Sequence, residues 1–186
     1  MTAPSWLEIL GFATGVACVW LLVRENVWNW PVGIANNLFY LVVFYRSGLY
    51  ADSGLQVGYV ALSIYGWWHW LRGGAGHSRL AVGRIGIREA LAVAGATTLA
   101  TAGLAALLAR FTPSTVPLSD ALTTALSLAA QYLQARKFLE NWWVWIAADV
   151  VYIGLYLYKD LALTALLYAV FLALCVAGLR RWRRRV

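Results

Sequence analysis

Long runs of apolar residues without charge are the feature of this sequence that most restricts its fold. Of the 186 residues, 62% are hydrophobic and only 12% are charged, whereas about a quarter of the residues in a typical soluble domain are charged. So few polar residues cannot cover a globule of this size. The apolar runs approach the roughly 20 residues that cross a bilayer as a helix. The composition therefore predicts an integral membrane protein.

Seven apolar segments can be marked along the chain, and each predicts one membrane-spanning helix. Alternation at period 2 is absent, and only helices and closed barrels satisfy backbone polar groups in lipid. The predicted fold class is therefore all-α integral membrane with seven transmembrane helices. The segments are Trp6–Val23, Trp28–Tyr45, Leu55–Leu71, Ala90–Ala109, Leu118–Leu133, Trp142–Tyr158 and Leu161–Leu179.

The distribution of Arg and Lys predicts the orientation in the membrane. With seven spans, a cytoplasmic C-terminus places twelve basic residues on the inner side and three, Arg46, Arg110 and Lys159, on the outer side. Cytoplasmic loops carry the excess of Lys and Arg, so we expect a multi-pass protein with its N-terminus outside and its C-terminus in the cytoplasm. The net charge of +7 lies in loops and in the tail, which does not indicate a nucleic-acid partner.

The pattern E-N-x-W-x-W occurs twice, at residues 25–30 and at residues 140–145, 115 positions apart. Tyr45-Arg46 matches Tyr158-Lys159 at a separation of 113. The sequence therefore predicts an internal duplication with a two-residue deletion in the second copy. In that alignment, Asn36 lies opposite Asp149.

A duplication of this kind predicts a 3+1+3 arrangement, in which one helix joins two three-helix repeats. Because the joining element is a single span, the repeats are parallel, a transporter plan that includes the sugar carriers called SWEETs. The predicted regions are a first repeat over 1–71, a basic linker with the linking helix over 72–116, a second repeat over 117–180 and a basic cytoplasmic tail over 181–186.

Polar residues recur at helical spacing on single faces of four segments, and such faces must meet protein or water rather than lipid. At about 1.5 Å per residue, each face has a polar residue near the bilayer centre, where parallel-repeat carriers hold substrate. Amides, hydroxyls, one carboxylate and aromatic faces suit a flat heterocyclic ring with a hydroxylated or cationic part. These faces supply most of the candidate substrate-binding residues, and Trp30 is added because it lies deeper than the tryptophans near the interface. The candidates are Trp30, Asn36, Gln56, Tyr59, Ser63, Ser127, Gln131, Trp142, Trp145, Asp149 and Tyr152.

Structural alternatives exist for these side chains. Trp residues of a membrane protein also form interfacial belts, and Ser in a span also bonds the backbone or a neighbouring helix. For Asp149 the alternative is a neutral acid hydrogen-bonded to a neighbour. The two cysteines, Cys18 and Cys175, stand alone in apolar runs and are interpreted as small apolar residues. An enzyme is not favoured, because the sequence shows no Ser/His/Asp set, no paired carboxylates at one depth and no membrane-embedded His for a metal.

Four stretches resemble the PnuC family of vitamin transporters, and the resemblance runs from Trp6 to Trp182. They are ENVWNWPVGIANN, LYADSGLQVGYVALSIYGWWHW, ALSLAAQYLQARKFLENWWVWIAAD and LYAVFLALCVAGLRRW. The resemblance implies a SWEET-like carrier in the bacterial inner membrane that takes up nicotinamide riboside by facilitated diffusion, without a cofactor. It also implies a homotrimer and a cytoplasmic kinase that traps the vitamin by phosphorylation.

In this family the ligand lies among residues of the helix that begins N-W-x-x-W. The resemblance thus adds Asn141 to the candidates and points to Trp142, Trp145, Asp149 and Tyr152, with Gln56 and Gln131 opposite. Nicotinamide riboside carriers tend to have Asn where this chain has Asp149. Thiamine and riboflavin, which relatives carry, therefore stay open as substrates, as do a proton-coupled mechanism and a scaffold without transport.

Overall fold

The computed structural model describes residues 6–46, 50–112, 116–158, 160 and 162–186, and these ranges contain seven α-helices and a short 3₁₀ helix, Ala75–His77. The all-α prediction with seven helices is confirmed for these ranges. The predicted start of the last segment, Leu161, and the predicted outer residue Lys159 lie outside them. The helices are α1 (Trp6–Val23), α2 (Asn29–Arg46), α3 (Tyr50–Arg72), α4 (Ile87–Phe111), α5 (Pro117–Ala135), α6 (Asn141–Tyr158) and α7 (Ala162–Trp182).

The largest difference from the predicted bounds is at α3, which begins at Tyr50 rather than at Leu55. Its first turns contain polar and small residues, so a count of apolar residues misses them. The hydroxyl of Ser53 donates a hydrogen bond to the carbonyl of Leu41 on α2 over 3.1 Å. This bond satisfies a buried polar group, and it explains why the helix extends beyond its apolar part.

The chain divides into two compact units. The first comprises residues 1–81 with 135–137, and the second comprises residues 82–134 with 138–186. In the first unit, α2 packs against both α1 and α3, and in the second, α6 packs against α7. Each unit thus contains one three-helix group, and α4 belongs to the second unit.

Equivalent helices of the two groups are separated by 112 residues, not by the 113 to 115 that the letter patterns predict. Asn29 begins α2 and Asn141 begins α6. The predicted alignment of Asn36 with Asp149 is therefore wrong. At a separation of 112, the residue opposite Asp149 is Asn37.

The physical reason for the correct register is a turn that both groups share. The side-chain amide of Asn29 donates a hydrogen bond to the carbonyl of Asn26 over 2.8 Å, and the amide of Asn141 donates to that of Phe138 in the same way. Each bond ties the first helical residue to the turn before it. The repeated signal is the Asn-Trp pair that opens the helix, and the Glu-Asn pair of the E-N-x-W-x-W pattern is not structurally equivalent in the two copies.

A second match between the groups is a tryptophan pair packed on a glycine. Trp30 and Trp70 lie edge to face, with ring centroids 5.4 Å apart and planes at 88°. Trp142 and Trp182 repeat this geometry at 5.3 Å and 87°. A Cβ at Gly66 would overlap the ring of Trp30, as one at Gly178 would overlap that of Trp142. The duplication is thus visible in packing as well as in helix bounds.

The turn that follows α5 contributes Lys137 to the first unit. Its Nζ lies 3.4 Å from Glu25 Oε2, donates to the carbonyl of Leu80 over 2.9 Å and stands 4.6 Å from the ring centroid of Trp70. Glu25 and Lys137 are counterparts at 112 residues, and both adopt left-handed backbone, with φ of 56° and 57°. The buried ammonium is therefore compensated by a carboxylate, a carbonyl and an aromatic face.

The surface of α4 is apolar along its length. Leu91, Leu99 and Leu107 are 66%, 76% and 55% exposed, an arrangement that would be unfavourable in water and suits lipid. By length and composition alone, two helices in the described ranges could span a membrane, Ile87–Phe111 and Thr164–Trp182. The other helices carry more polar residues, and the candidate substrate-binding residues lie on them.

Candidate substrate-binding site

Asp149 is the carboxylate that the sequence places midway along a membrane span, and it is buried in the second unit. Only 4% of it is exposed. Its Oδ2 accepts a hydrogen bond from the thiol of Cys175 on α7 over 3.4 Å. A carboxylate in an apolar span is unfavourable unless it is compensated, and such residues commonly mark a substrate or ion path.

One helical turn beyond Asp149, three tyrosines form a ring cluster between α6 and α7. The ring of Tyr168 lies 4.5 Å from that of Tyr152 and 5.2 Å from that of Tyr156. Tyr152 and Tyr156 stack at 5.9 Å with planes at 13°. The cluster places several electron-rich ring faces on the same stretch of α6 that holds the carboxylate, and such faces attract cations.

On the other side of Asp149, Trp145 is fixed by the end of α5. Its indole Nε1 donates a hydrogen bond to Gln134 Oε1 over 3.1 Å, and its ring is partly exposed. Ser127 is buried on α5, and Gln131 is half-buried one turn further along it. These predicted residues belong to the same unit as Asp149 and offer an aromatic face, an amide and a hydroxyl.

Asn141 and Trp142 are fully buried in the turn and packing that open α6. The side-chain amide of Asn141 donates a hydrogen bond to the carbonyl of Phe138, and the ring of Trp142 packs on Gly178 and Trp182. Trp30 occupies the same position in the first unit. The structure thus places these three candidates in the framework of each helix group.

The first unit holds the remaining candidates on α2 and α3. Asn36 donates to Thr14 Oγ1 over 2.6 Å and to the carbonyl of Gly11 over 3.3 Å, both on α1. Ser63 is buried with 1% exposure, while Gln56 and Tyr59 are half-buried. Ser63 is the counterpart of Cys175 at 112 residues.

Sequence reasoning missed two features of this region. Cys175 was interpreted as a small apolar residue because a lone Cys in an apolar run carries no pattern, yet its thiol contacts the buried carboxylate. The letter alignment pairs Asp149 with Asn36 and so does not point to Asn37. The signal that could have found Asn37 is the spacing shared by Asn37-Tyr40 and Asp149-Tyr152.

Two further observations on this unit concern a cavity and the metal-binding groups of the described ranges. An open cleft of about 330 Å³ near the ends of α5 and α6 is lined by Ser119, Tyr158 and apolar residues, but it contains neither Asp149 nor Tyr152. Within the described ranges, no group of three or more His, Cys, Asp or Glu side chains could hold a metal ion.

Two matched three-helix groups, a joining helix and buried polar residues within the spans define a duplicated membrane carrier. Residues 5–184 match the family model described as nicotinamide mononucleotide transporter, and the chain belongs to this family. Membrane transport is thus the function of this class of protein, and the resemblance to PnuC transporters inferred from the sequence is confirmed.

Individual relatives agree with this assignment. The chain is 30% identical over 183 residues to the riboflavin/roseoflavin transporter RibM of Streptomyces davaonensis, covering 95% of this chain and 84% of the relative. It is 26% identical over 203 residues to the nicotinamide riboside transporter PnuC of Escherichia coli, covering 96% and 85%. A crystal structure of the vitamin B3 transporter PnuC matches with a TM-score of 0.76 and 25% identity, covering 98% of this chain and 82% of that one.

Proposed function

We propose that this protein takes up nicotinamide riboside by facilitated diffusion. The observation that carries the proposal is the match of residues 5–184 to the transporter family, and the buried Asp149 carboxylate beside the tyrosine cluster between α6 and α7 adds groups that suit a cationic ligand. Similarity to nicotinamide riboside transporters over nearly the whole chain supports the assignment of the ligand class.

The chemistry of the ligand fits these groups. Nicotinamide riboside joins a positively charged pyridinium ring, with its amide, to a ribose. The carboxylate of Asp149 compensates the charge, and the face of Tyr152 or Trp145 stacks on the ring. Gln131 and Ser127 offer hydrogen-bonding groups to the amide and to the ribose hydroxyls.

The twelve predicted site residues divide into two groups in this proposal. Eight contact the ligand during transport, and four hold the helices that present them. The proposed contacts are Gln56, Tyr59, Ser63, Ser127, Gln131, Trp145, Asp149 and Tyr152. The proposed positioning residues are Trp30, Asn36, Asn141 and Trp142, because their rings or amides are used in packing and turns.

The wider setting of transport is part of the same proposal. The protein lies in the bacterial inner membrane with its N-terminus outside, forms a trimer, and feeds a cytoplasmic kinase whose product does not leave the cell. Phosphorylation maintains the inward gradient, so no ion coupling is needed. A reporter fused to either terminus tests the orientation, and native mass spectrometry in detergent tests the trimer.

Riboflavin is the second candidate because RibM, a riboflavin/roseoflavin transporter, shares 30% identity with this chain. Its ring system is larger and uncharged, so it would depend on the aromatic faces more than on Asp149. Thiamine is the third ligand to compare, since it is also a cation.

The deciding experiment is a titration of the purified protein with nicotinamide riboside, thiamine and riboflavin, read by intrinsic Trp fluorescence. We expect nicotinamide riboside to quench with the lowest dissociation constant. A lower constant for riboflavin transfers the assignment to the second candidate, and quenching by none of the three contradicts vitamin binding.

Mechanism is tested separately in proteoliposomes. Uptake of labelled nicotinamide riboside should reach the external concentration and stop there, and a protonophore should not change its initial rate. Loss of uptake when the proton gradient is dissipated would instead establish a proton-coupled carrier. Addition of the kinase and ATP inside the vesicles should restore accumulation.

A further inference from the structure

Asn37 lies midway along α2, one residue after the Asn36 that the sequence pattern favours. It is half-buried and lies in the first unit. Two adjacent amides in the middle of an apolar helix are costly in lipid unless each has a partner or faces a polar space. Their partners therefore distinguish their roles.

The two amides differ in this respect. The side chain of Asn36 contacts α1: it donates hydrogen bonds to Thr14 Oγ1 over 2.6 Å and to the carbonyl of Gly11 over 3.3 Å. The side chain of Asn37, in contrast, forms no hydrogen bond with any residue in the described ranges. Its amide is thus available to a group that does not belong to the packed helices of its own unit.

The register of the duplication gives Asn37 a counterpart. At 112 residues it corresponds to Asp149, the buried carboxylate of α6. The aromatic residues that follow correspond as well, because Tyr40 and Phe44 stack at 5.7 Å just as Tyr152 and Tyr156 stack at 5.9 Å. Each helix group therefore presents a polar side chain followed by a stacked aromatic pair three and seven positions later.

We propose that Asn37 contacts the transported ligand and is the counterpart, in the first helix group, of Asp149. The inference rests on the proposed function, because it assigns a role in binding that same class of ligand. Asn37 offers both a donor and an acceptor, which suits the carboxamide or a hydroxyl of the ligand.

The first test compares Asn37→Ala with Asn36→Ala in titrations with nicotinamide riboside. Loss of one ligand hydrogen bond should weaken binding by about three- to tenfold for Asn37→Ala, with an unchanged melting temperature. Asn36→Ala should lower the melting temperature, since it removes a contact between α1 and α2.

A second variant tests specificity. Asn37→Asp places a carboxylate beside the ligand, so it should strengthen binding of the cationic nicotinamide riboside relative to the uncharged riboflavin by about fivefold or more. Asn26→Asp is the matched control and should not change this ratio, because Asn26 is exposed in the turn before α2 and its side-chain oxygen accepts from the backbone N–H of Trp28.

The outcomes separate the inference from the function on which it rests. If the unsubstituted protein binds nicotinamide riboside but Asn37→Ala binds equally well, and Asn37→Asp leaves the ratio unchanged, Asn37 is not a ligand contact and the proposed function survives. If the unsubstituted protein binds none of the three vitamins, both proposals are overturned.

Discussion

The thiol of Cys175 donates a hydrogen bond to Asp149 Oδ2 across 3.4 Å, and this contact joins the middle of α7 to the middle of α6. Both residues are buried, with 4% of each exposed. The thiol donates to Oδ2 alone, which favours one orientation of the carboxylate. Oδ1 is left for another partner. Ser63, the counterpart of Cys175 in the first unit, is also buried.

Replacement of Cys175 should weaken ligand binding through Asp149. Cys175→Ala removes the donor and leaves the carboxylate free to turn, so we expect about a three- to tenfold increase in the dissociation constant for nicotinamide riboside. Cys175→Ser keeps a hydroxyl donor and should stay within about twofold. Trp fluorescence titration measures both.

The other cysteine provides the control for this pair of variants. Cys18 donates to the carbonyl of Asn29 over 3.2 Å, in the framework of the first unit, so Cys18→Ala should leave affinity unchanged. Equal affinity of Cys175→Ala and the unsubstituted protein would show that the thiol does not orient the carboxylate.

The charge of Asp149 should determine which vitamins bind. Asp149→Asn is nearly isosteric and removes the charge, so affinity for nicotinamide riboside should fall by about ten- to a hundredfold, the range expected for a charge-assisted contact of about 1.5–3 kcal/mol. Riboflavin binding should change little. Asp120→Asn, in the first turn of α5, is the matched carboxylate control. An unchanged affinity for the cation in Asp149→Asn contradicts a role for the charge.

Glycines beneath the tryptophan pairs should be sensitive to a single methyl group. A Cβ at Gly66 or Gly178 would overlap the ring of Trp30 or Trp142, so each Gly→Ala change should cost about 1–3 kcal/mol through overpacking. Gly58 and Gly154 have open space where a Cβ would lie. Gly58→Ala and Gly154→Ala should therefore leave the melting temperature unchanged or raise it slightly.

The comparison of these four variants also tests the duplication. Equal losses at Gly66 and Gly178, measured as melting temperatures in detergent, are expected because the two ring pairs have the same geometry. A loss at only one of the two positions would show that the packing is equivalent in shape but not in energy.

The number and type of the helices could be predicted because lipid permits few alternatives. The apolar runs and their breaks are strong signals, and α1 ends where the pattern indicates, at Val23. The start of α3 could not be predicted, since Ser53 finds its partner on α2 only after the helices pack. The hydropathy of a segment carries no information on such contacts.

The register of the duplication shows the limit of letter matching. Glu25 and Glu140 match as letters, but Glu25 lies in a left-handed turn, whereas Glu140 Oε2 accepts a hydrogen bond from the backbone N–H of Ile85. The structural counterpart of Glu25 is Lys137, an opposite charge that no identity score would align. An alignment by identical letters therefore predicts Asn36 as the counterpart of Asp149, whereas the structural register gives Asn37.

The buried Lys137 and the half-buried Glu25 form an ion pair whose two members should both be needed for stability. Lys137 is 7% exposed, and its ammonium depends on Glu25, on the carbonyl of Leu80 and on the ring of Trp70. Removal of one member of a buried pair leaves an uncompensated charge and costs about 3–5 kcal/mol.

Glu25→Gln should therefore lower the melting temperature more than the double variant Glu25→Gln with Lys137→Met, in which no buried charge is left. Arg79→Met removes an exposed basic residue of the same loop region and serves as the control. Melting temperatures in detergent measure all three, and binding titrations on the folded fraction should give unchanged affinity, because neither member belongs to the proposed contacts. If the single variant is as stable as the control, the pair contributes nothing and the packing around Trp70 alone holds this turn.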